Sequence, residues 1–387
     1  LTVTLTRISF LYVFFLSLTV IESSILYYKK NFFYFSFSPV LLNISIIIFI
    51  ILHGKFKEPL MAPIVGWVIG GIAQFLFIKY GTIRYGITSI PVARPFKGKV
   101  KDAVKLMIPA SIGTATYQLN LFVDMVLASI LPKASISILY YANRIFLLPL
   151  SLFAVSLGNV FLPHASELVI KNDKKNLFEQ IRFALFFVLL INLPIAVFII
   201  WNRNYLIDIL YRRGKFSIDL VEPVGFTLAM YSLGLPLYSI QKVLTSIHQA
   251  HKDLTTPRKS ALLSVISNAI FGYILLHFLS QGGIALATTI SSAIQVSFLA
   301  HKLKDKNIGI REIIPSIKTL RILAITLILC GISAFVSDLI VYDFKKPFID
   351  RAIALLEKSV IFFTPYALLL FTLMKRKALL KSRQISS

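Results

Sequence analysis

Apolar residues fall in long runs from one end of the chain to the other, and short stretches rich in lysine and arginine separate them. A run of about 20 apolar residues is the length that crosses the hydrocarbon core as a helix. The pattern places spans at roughly 7–28, 33–53, 60–79, 104–131, 136–162, 181–201, 221–248, 260–279, 282–301, 321–342 and 353–374. The fold class is therefore an all-α polytopic membrane protein of about eleven transmembrane helices. No small-residue cleavage site follows the first run, so it does not read as a signal peptide.

Composition strengthens that picture. Hydrophobic residues make up 57% of the 387, mean hydropathy is +0.78, and only 15% are charged, against about a quarter in soluble domains. The single cysteine, Cys330, falls inside a span and can form no internal disulfide.

Charge orients the bundle. Connections 29–31, 79–105, 164–182, 249–260, 302–321 and the tail from 375 hold 27 Lys and Arg, whereas the alternate connections hold 10. Basic loops stay on the cytoplasmic side. This puts the C-terminus in the cytoplasm and Leu1 outside. The net charge of +24 is spread over many short loops on one membrane face, which argues against nucleic acid and for anionic lipid headgroups as neighbours. The opening "LTVTLTRISF" has no methionine and no cytoplasmic lead-in, and the helix count is odd. A missing N-terminal piece is expected.

Small residues at Gly66, Gly70, Gly71, Gly283 and Ala287 predict close helix packing. Pro109, Pro149, Pro194 and Pro236 each fall within a span and predict bent helices around a cavity.

Against this apolar ground the charged residues stand out. "LYYANRIFLLPL" (139–150) carries Arg144 with no acid in the run. A guanidinium cannot shed its charge. It either snorkels to the interface or faces a water-filled cavity and binds an anion, for which phosphate is the natural match. Lys242 in "YSIQKVLTS" is a second intramembrane cation, nearer the cytoplasmic end and equally able to snorkel. Glu22 and the adjacent Glu357 and Lys358 are further oddities; neighbours in a helix cannot share a face, so at most one of the 357/358 pair is buried. Asp124, Asn268 and Thr288 form a polar group that either hydrogen-bonds between helices or ligates a hard cation through oxygen. His248 and His251 in "HQAHKD" read as an interfacial cap, with metal binding beside Asp253 as the alternative. No nucleophile–base pair and no phosphate loop appears, so the chain does not read as an enzyme.

Several stretches resemble one family. "FSPVLLNISII" (37–47), "VDMVLASILPKASISILYYANRIFLLPLSLFAVSLGNVFLPHAS" (123–166), "LYRRGKFS" (210–217), "GLPLYSIQKVLTSIHQAHKDLTTP" (234–257) and "GGIALATTIS" (282–291) look like the MurJ/MviN lipid II flippases. That family belongs to the multidrug/oligosaccharidyl-lipid/polysaccharide exporter superfamily. Members have fourteen helices, and this chain resembles helices four to fourteen. The resemblance implies a remnant of the first lobe over 1–80, a basic cytoplasmic linker over 81–103, a second six-helix lobe over 104–302, and a C-terminal helical pair with a basic tail over 303–387.

It also implies roles. Arg144 matches a cavity arginine thought to engage the substrate diphosphate, and Asn143 and Leu147 stand where relatives often carry acids. With Lys242 these make a substrate-binding set of Arg144, Lys242 and Asn143. Some members bind sodium through residues matching Asp124, Asn268, Thr288 and the carbonyl of Ile284, while a further family Asp falls at Gly272 here. The expected function is flipping of the lipid-linked peptidoglycan precursor, lipid II, from inner to outer leaflet of the bacterial cytoplasmic membrane. It requires no cofactor, and a sodium ion at that site is the one ion the resemblance suggests. The alternatives are export of another lipid-linked oligosaccharide or a drug, for which cavity carboxylates would be wanted, and a non-transporting membrane scaffold working through its basic loops. Oligomeric state is not legible.

Overall fold

The computed structural model describes residues 2–29, 31, 33–56, 58–86, 118–132 and 134–385. It divides into two compact units, residues 1–101 and 102–387. The span 104–131 before position 118, Pro109 within it, and positions 87–103 of the expected linker lie outside the described residues.

The first unit holds α1 (Thr2–Tyr28), α2 (Phe33–Ile51) and α3 (Met61–Arg84). α3 carries the glycines that let its neighbours close in. A Cβ at Gly70 would lie 3.0 Å from Leu42 Cα on α2, and one at Gly71 would lie 2.7 Å from the Tyr12 ring on α1. Ser45 donates across the α2–α3 seam to the Gly66 carbonyl at 2.8 Å. Glu22, buried on α1, pairs with Lys79 of α3 at 2.7 Å. A carboxylate in an apolar helix is stable there because the partner cation arrives with the third helix.

The second unit begins with α4 (Gln118–Ala128). One bent span follows, made of α5 (Ser135–Pro149), a π-helical turn (Leu150–Val155) and α6 (Ser156–Ile170). Proline cannot donate to the turn before it, and the wider π-turn takes up the resulting misfit. Then come α7 (Lys174–Trp201), the short α8 (Arg203–Tyr211), α9 (Val221–Leu233) and α10 (Leu235–Ala250). Of the prolines expected to bend helices, Pro194 lies inside α7. Pro236 instead starts α10 in its first turn, where the missing N–H is harmless. α6 and α7 run past the expected ends at 162 and 181, because their charged turns project beyond the apolar stretch and Asp173 caps Asn176 of α7.

α11 (Thr255–Lys302) has 48 residues, which in one straight rod would measure about 72 Å, over twice the hydrocarbon thickness. It is a hairpin. Ser280 breaks the helix at φ 48° and ψ −129°. Gln295 on the second limb reaches Ser260 on the first at 3.3 Å. The limbs press together where Gly283 meets the backbone of Leu275, only 2.2 Å from the site of any Cβ. The expected spans 260–279 and 282–301 are these two limbs. α12 (Ile310–Ile313), α13 (Ile317–Ser337) and α14 (Phe348–Ile385) complete the unit.

Among the described residues nine helices are long and apolar enough to cross a membrane. The hairpin among them supplies two crossings, and α4 is a shorter apolar helix within the expected span 104–131. The chain is thus an all-α, multi-pass membrane protein. Its second unit is cored by Phe146, Leu228, Tyr231 and Ile284, by Leu185, Val243, Ile247 and Leu299, and, between α7, α13 and α14, by Phe198, Cys330 and Phe362.

Candidate functional site

Arg144 lies nine residues into α5, about 13 Å along the axis from its start. Its neighbours Ala142, Ile145 and Phe146 are buried in the core, which leaves Arg144 on the opposite, exposed face. Helical side chains lean toward the N-terminus, and the guanidinium reaches back one turn to Tyr140. Nη2 donates to the Tyr140 hydroxyl at 2.6 Å, and the guanidinium carbon lies 4.9 Å from that ring's centre. No carboxylate of the described residues pairs with it. Asn143 is half-buried beside it, and Leu147 packs against the core.

Lys242 is elsewhere. Its aliphatic stem crosses Gly158 of α6, where any Cβ would sit 2.8 Å from Lys242 Cγ. Gly158 is fourteen residues beyond Arg144, about 20 Å farther along the bent span. The sequence expectation grouped Lys242 with Arg144 and Asn143; the structure holds the two cations at different depths, too far apart to grip one diphosphate. The reason is the length of the α5–α6 span, against which α10 packs.

The oxygen cluster is assembled. Asn268 of the first α11 limb donates to buried Asp124 of α4 at 2.7 Å. Thr288 of the second limb donates to Asn268 Oδ1 at 3.3 Å and lies 3.1 Å from the Ile284 carbonyl. The Thr288 and Tyr231 hydroxyls also reach the Asp124 carboxylate. One charge and several neutral oxygens form the donor set of a hard monovalent cation, and every ligand type present suits it. Gly272, where the family resemblance places a second acid, is filled instead: a Cβ there would meet Leu127 Cδ1 at 2.5 Å.

His248 is buried, bonded to Asp253 at 3.3 Å and to the Leu299 carbonyl at 3.1 Å. Asp253 caps the start of α11 through the N–H groups of Thr255 and Thr256 and pairs with Lys306 at 3.1 Å. Burial raises the Asp253 carboxyl, but the bonds from Thr256 and Lys306 outweigh it and hold the group well below the usual carboxylate range. These are the contacts of a cap.

Sequence reasoning missed one hub. Asp208 of α8 is fully buried and accepts from Arg212 at 3.0 Å, from the Tyr342 hydroxyl at 2.5 Å and from Arg351 of α14. Arg212 also donates to the Phe344 carbonyl at 2.7 Å. Burial and the adjacent carboxylate push the Tyr342 phenol well above its ordinary value. Lys358, two turns beyond Arg351, is buried and bonds the Ser337 carbonyl at 2.9 Å and Asp338 at 3.2 Å, while Glu357 is exposed. Trp201 donates to the same Asp338 at 2.9 Å. The signal was present: Asp208 is the lone acid of "NYLIDILY", four residues before Arg212.

Comparison with known proteins bears on all of this. The family described as Lipid II flippase MurJ matches residues 1–349. A probable lipid II flippase MurJ of Rickettsia prowazekii is 34% identical over 295 residues, covering 76% of this chain and 57% of that protein. A probable lipid II flippase MurJ of Vibrio cholerae is 30% identical over 300 residues, covering 76% of this chain and 56% of that protein. This chain thus spans little more than half the length of those relatives. A solved structure of lipid II flippase MurJ in an inward closed conformation superposes with a TM-score of 0.77 at 29% identity, covering 97% of this chain and 75% of that one.

Proposed function

Because this chain belongs to the lipid II flippase MurJ family, we propose that it serves the flipping of the lipid-linked peptidoglycan precursor across the bacterial cytoplasmic membrane. The work is alternating access around a bound headgroup, with no covalent chemistry. The basic loops face the cytoplasm and meet anionic lipids there, which fits their excess of 27 Lys and Arg over 10.

One observation carries the reading of the site. Arg144 is an intramembrane cation on an exposed helix face whose only hydrogen-bond partner among the described residues is a neutral phenol. Its charge is available to an anion. A cationic drug would be repelled by it, so export of such a drug fits this chain poorly. In cells depleted of their own flippase, Arg144→Ala should abolish growth complementation by the full chain at normal protein levels. Arg144→Lys should rescue in part, because an ammonium keeps the charge but loses the planar fork. The bidentate contact is worth about 2–3 kcal/mol, or roughly 30- to 150-fold in affinity. Snorkelling requires only length and reach, so full growth with Arg144→Gln would sink the phosphate role.

The oxygen cluster supports a second assignment, a sodium ion held by Asp124, Asn268, Thr288 and the Ile284 carbonyl. The ion would supply a fixed positive charge joining α4 to both limbs of α11. With one carboxylate it binds weakly. Sodium should raise the melting temperature of the purified protein above its value in potassium, and Asp124→Asn should erase the difference. Equal melting temperatures for the unmutated protein in the two salts would remove the ion.

A further inference from the structure

A long, exposed arginine samples many rotamers unless something holds it, and that disorder opposes any bidentate grip. Acids are the usual holders, but they also spend the charge. The positions beside Arg144 that could carry one hold Asn143 and Leu147 instead, and the contact comes from Tyr140. That phenol is itself buttressed. Its ring meets Tyr141 edge-on at 6.2 Å and 73°. Tyr141 packs against both Tyr211, at 4.7 Å, and Phe216, at 5.5 Å, and its carbonyl accepts from the Tyr211 hydroxyl at 3.2 Å. Aromatic rings from α5, the end of α8 and the segment after it therefore back the Tyr140 ring that the guanidinium meets.

We propose that Tyr140 is a positioning residue for the anion contact: it holds one N–H of Arg144 and presents the rest of the fork to a lipid-linked diphosphate. The inference rests on the reading of Arg144 given above. A guanidinium has five N–H donors. The phenol takes one and leaves the full positive charge, so orientation is gained without neutralisation. The ring face below the guanidinium adds a cation–π contact that resists swinging toward lipid. An aspartate in this place would orient as well but compete with the diphosphate for both donors and charge.

The test uses the full chain in phosphatidylcholine nanodiscs, with farnesyl diphosphate and farnesyl monophosphate as probes. Tyr140→Phe keeps every ring contact and removes only the hydroxyl, and its melting temperature should match that of the unmutated protein. It should weaken diphosphate binding about five- to tenfold, the scale of one charge-assisted hydrogen bond's worth of positioning, while monophosphate binding changes less than about twofold. In an Arg144→Lys background the same substitution should change diphosphate binding less than about twofold, because there is no fork left to aim. Four results overturn the proposal. If Tyr140→Phe binds diphosphate like the unmutated protein while Arg144→Ala loses it, the arginine reading stands and the tyrosine has no part in it. An equal loss for both probes, or the same loss in the lysine background, makes Tyr140 a structural prop. Binding that is the same with and without Arg144, absent in both included, removes the arginine reading and this one together.

Discussion

At the scale of single residues, the chain treats the isolated charges of its apolar runs in two opposite ways. Asp208 is surrounded by donors, with two guanidiniums and a phenol on one carboxylate, while Arg144 is given a neutral neighbour and left positive. The first pattern fastens and the second keeps a charge in reserve. Asp208→Asn would leave Arg351 and Arg212 without a countercharge, and breaking a buried pair from one side costs about 3–5 kcal/mol. A clear drop in melting temperature is expected in detergent, with part of it recovered when Arg351→Met removes the stranded cation. An unchanged melting temperature for Asp208→Asn would show the hub to be dispensable. Arg144 was legible from the sequence because an arginine cannot hide in an apolar run. Asp208 is the lone acid of its run with Arg212 four residues on, yet its other partners, Tyr342 and Arg351, come from 134 and 143 residues away, and no local pattern announces them. The Tyr140 contact was equally close to hand, four residues from Arg144, but aromatic rings are too common in apolar runs to single one out.

At the scale of elements, the turn inside α11 shows where pattern reading holds and where backbone detail escapes it. The break between 279 and 282 follows from hydrophobic length alone. That the turn rests on a serine at φ 48° does not, since glycine would be the expected residue and two glycines follow immediately at 282 and 283. Those glycines are consumed elsewhere: Gly283 by the backbone of Leu275, Gly282 by the Phe226 ring. Ser280 therefore carries strain of order 1 kcal/mol. Ser280→Gly should raise the melting temperature slightly or leave it unchanged, while Ser280→Val should lower it by several degrees. A stabilising valine would mean that the turn is not strained. The π-turn after Pro149 is the other case, a bend foreseen from the proline whose form, one widened turn between α5 and α6, was not. The grouping of Lys242 with Arg144 failed at this same scale. Sequence gives the depth of each residue only to within a few positions, and the register between α10 and α6, set where Lys242 lies over Gly158, separates them.

For the whole molecule, membrane class follows directly from where the apolar runs fall, since lipid allows a helix little freedom of length. Orientation rests on charge and is open to direct measurement. Cys330 is buried, so engineered thiols report against a quiet background. Lys304→Cys should resist a membrane-impermeant maleimide in intact cells, and Lys215→Cys should react; the reverse pattern would invert the topology. The hub at Asp208 has one more consequence, in the order of synthesis. α14 brings two cations, Arg351 and Lys358, into an apolar environment, and the carboxylates that receive them, Asp208 and Asp338, are both made earlier in the chain. α14 leaves the ribosome to find its countercharges already in place, so its entry into the bilayer can be drawn by the protein made before it. A chain without Asp208 would then fail first in biogenesis, with α14 left outside the membrane and open to protease, before any lipid had been bound.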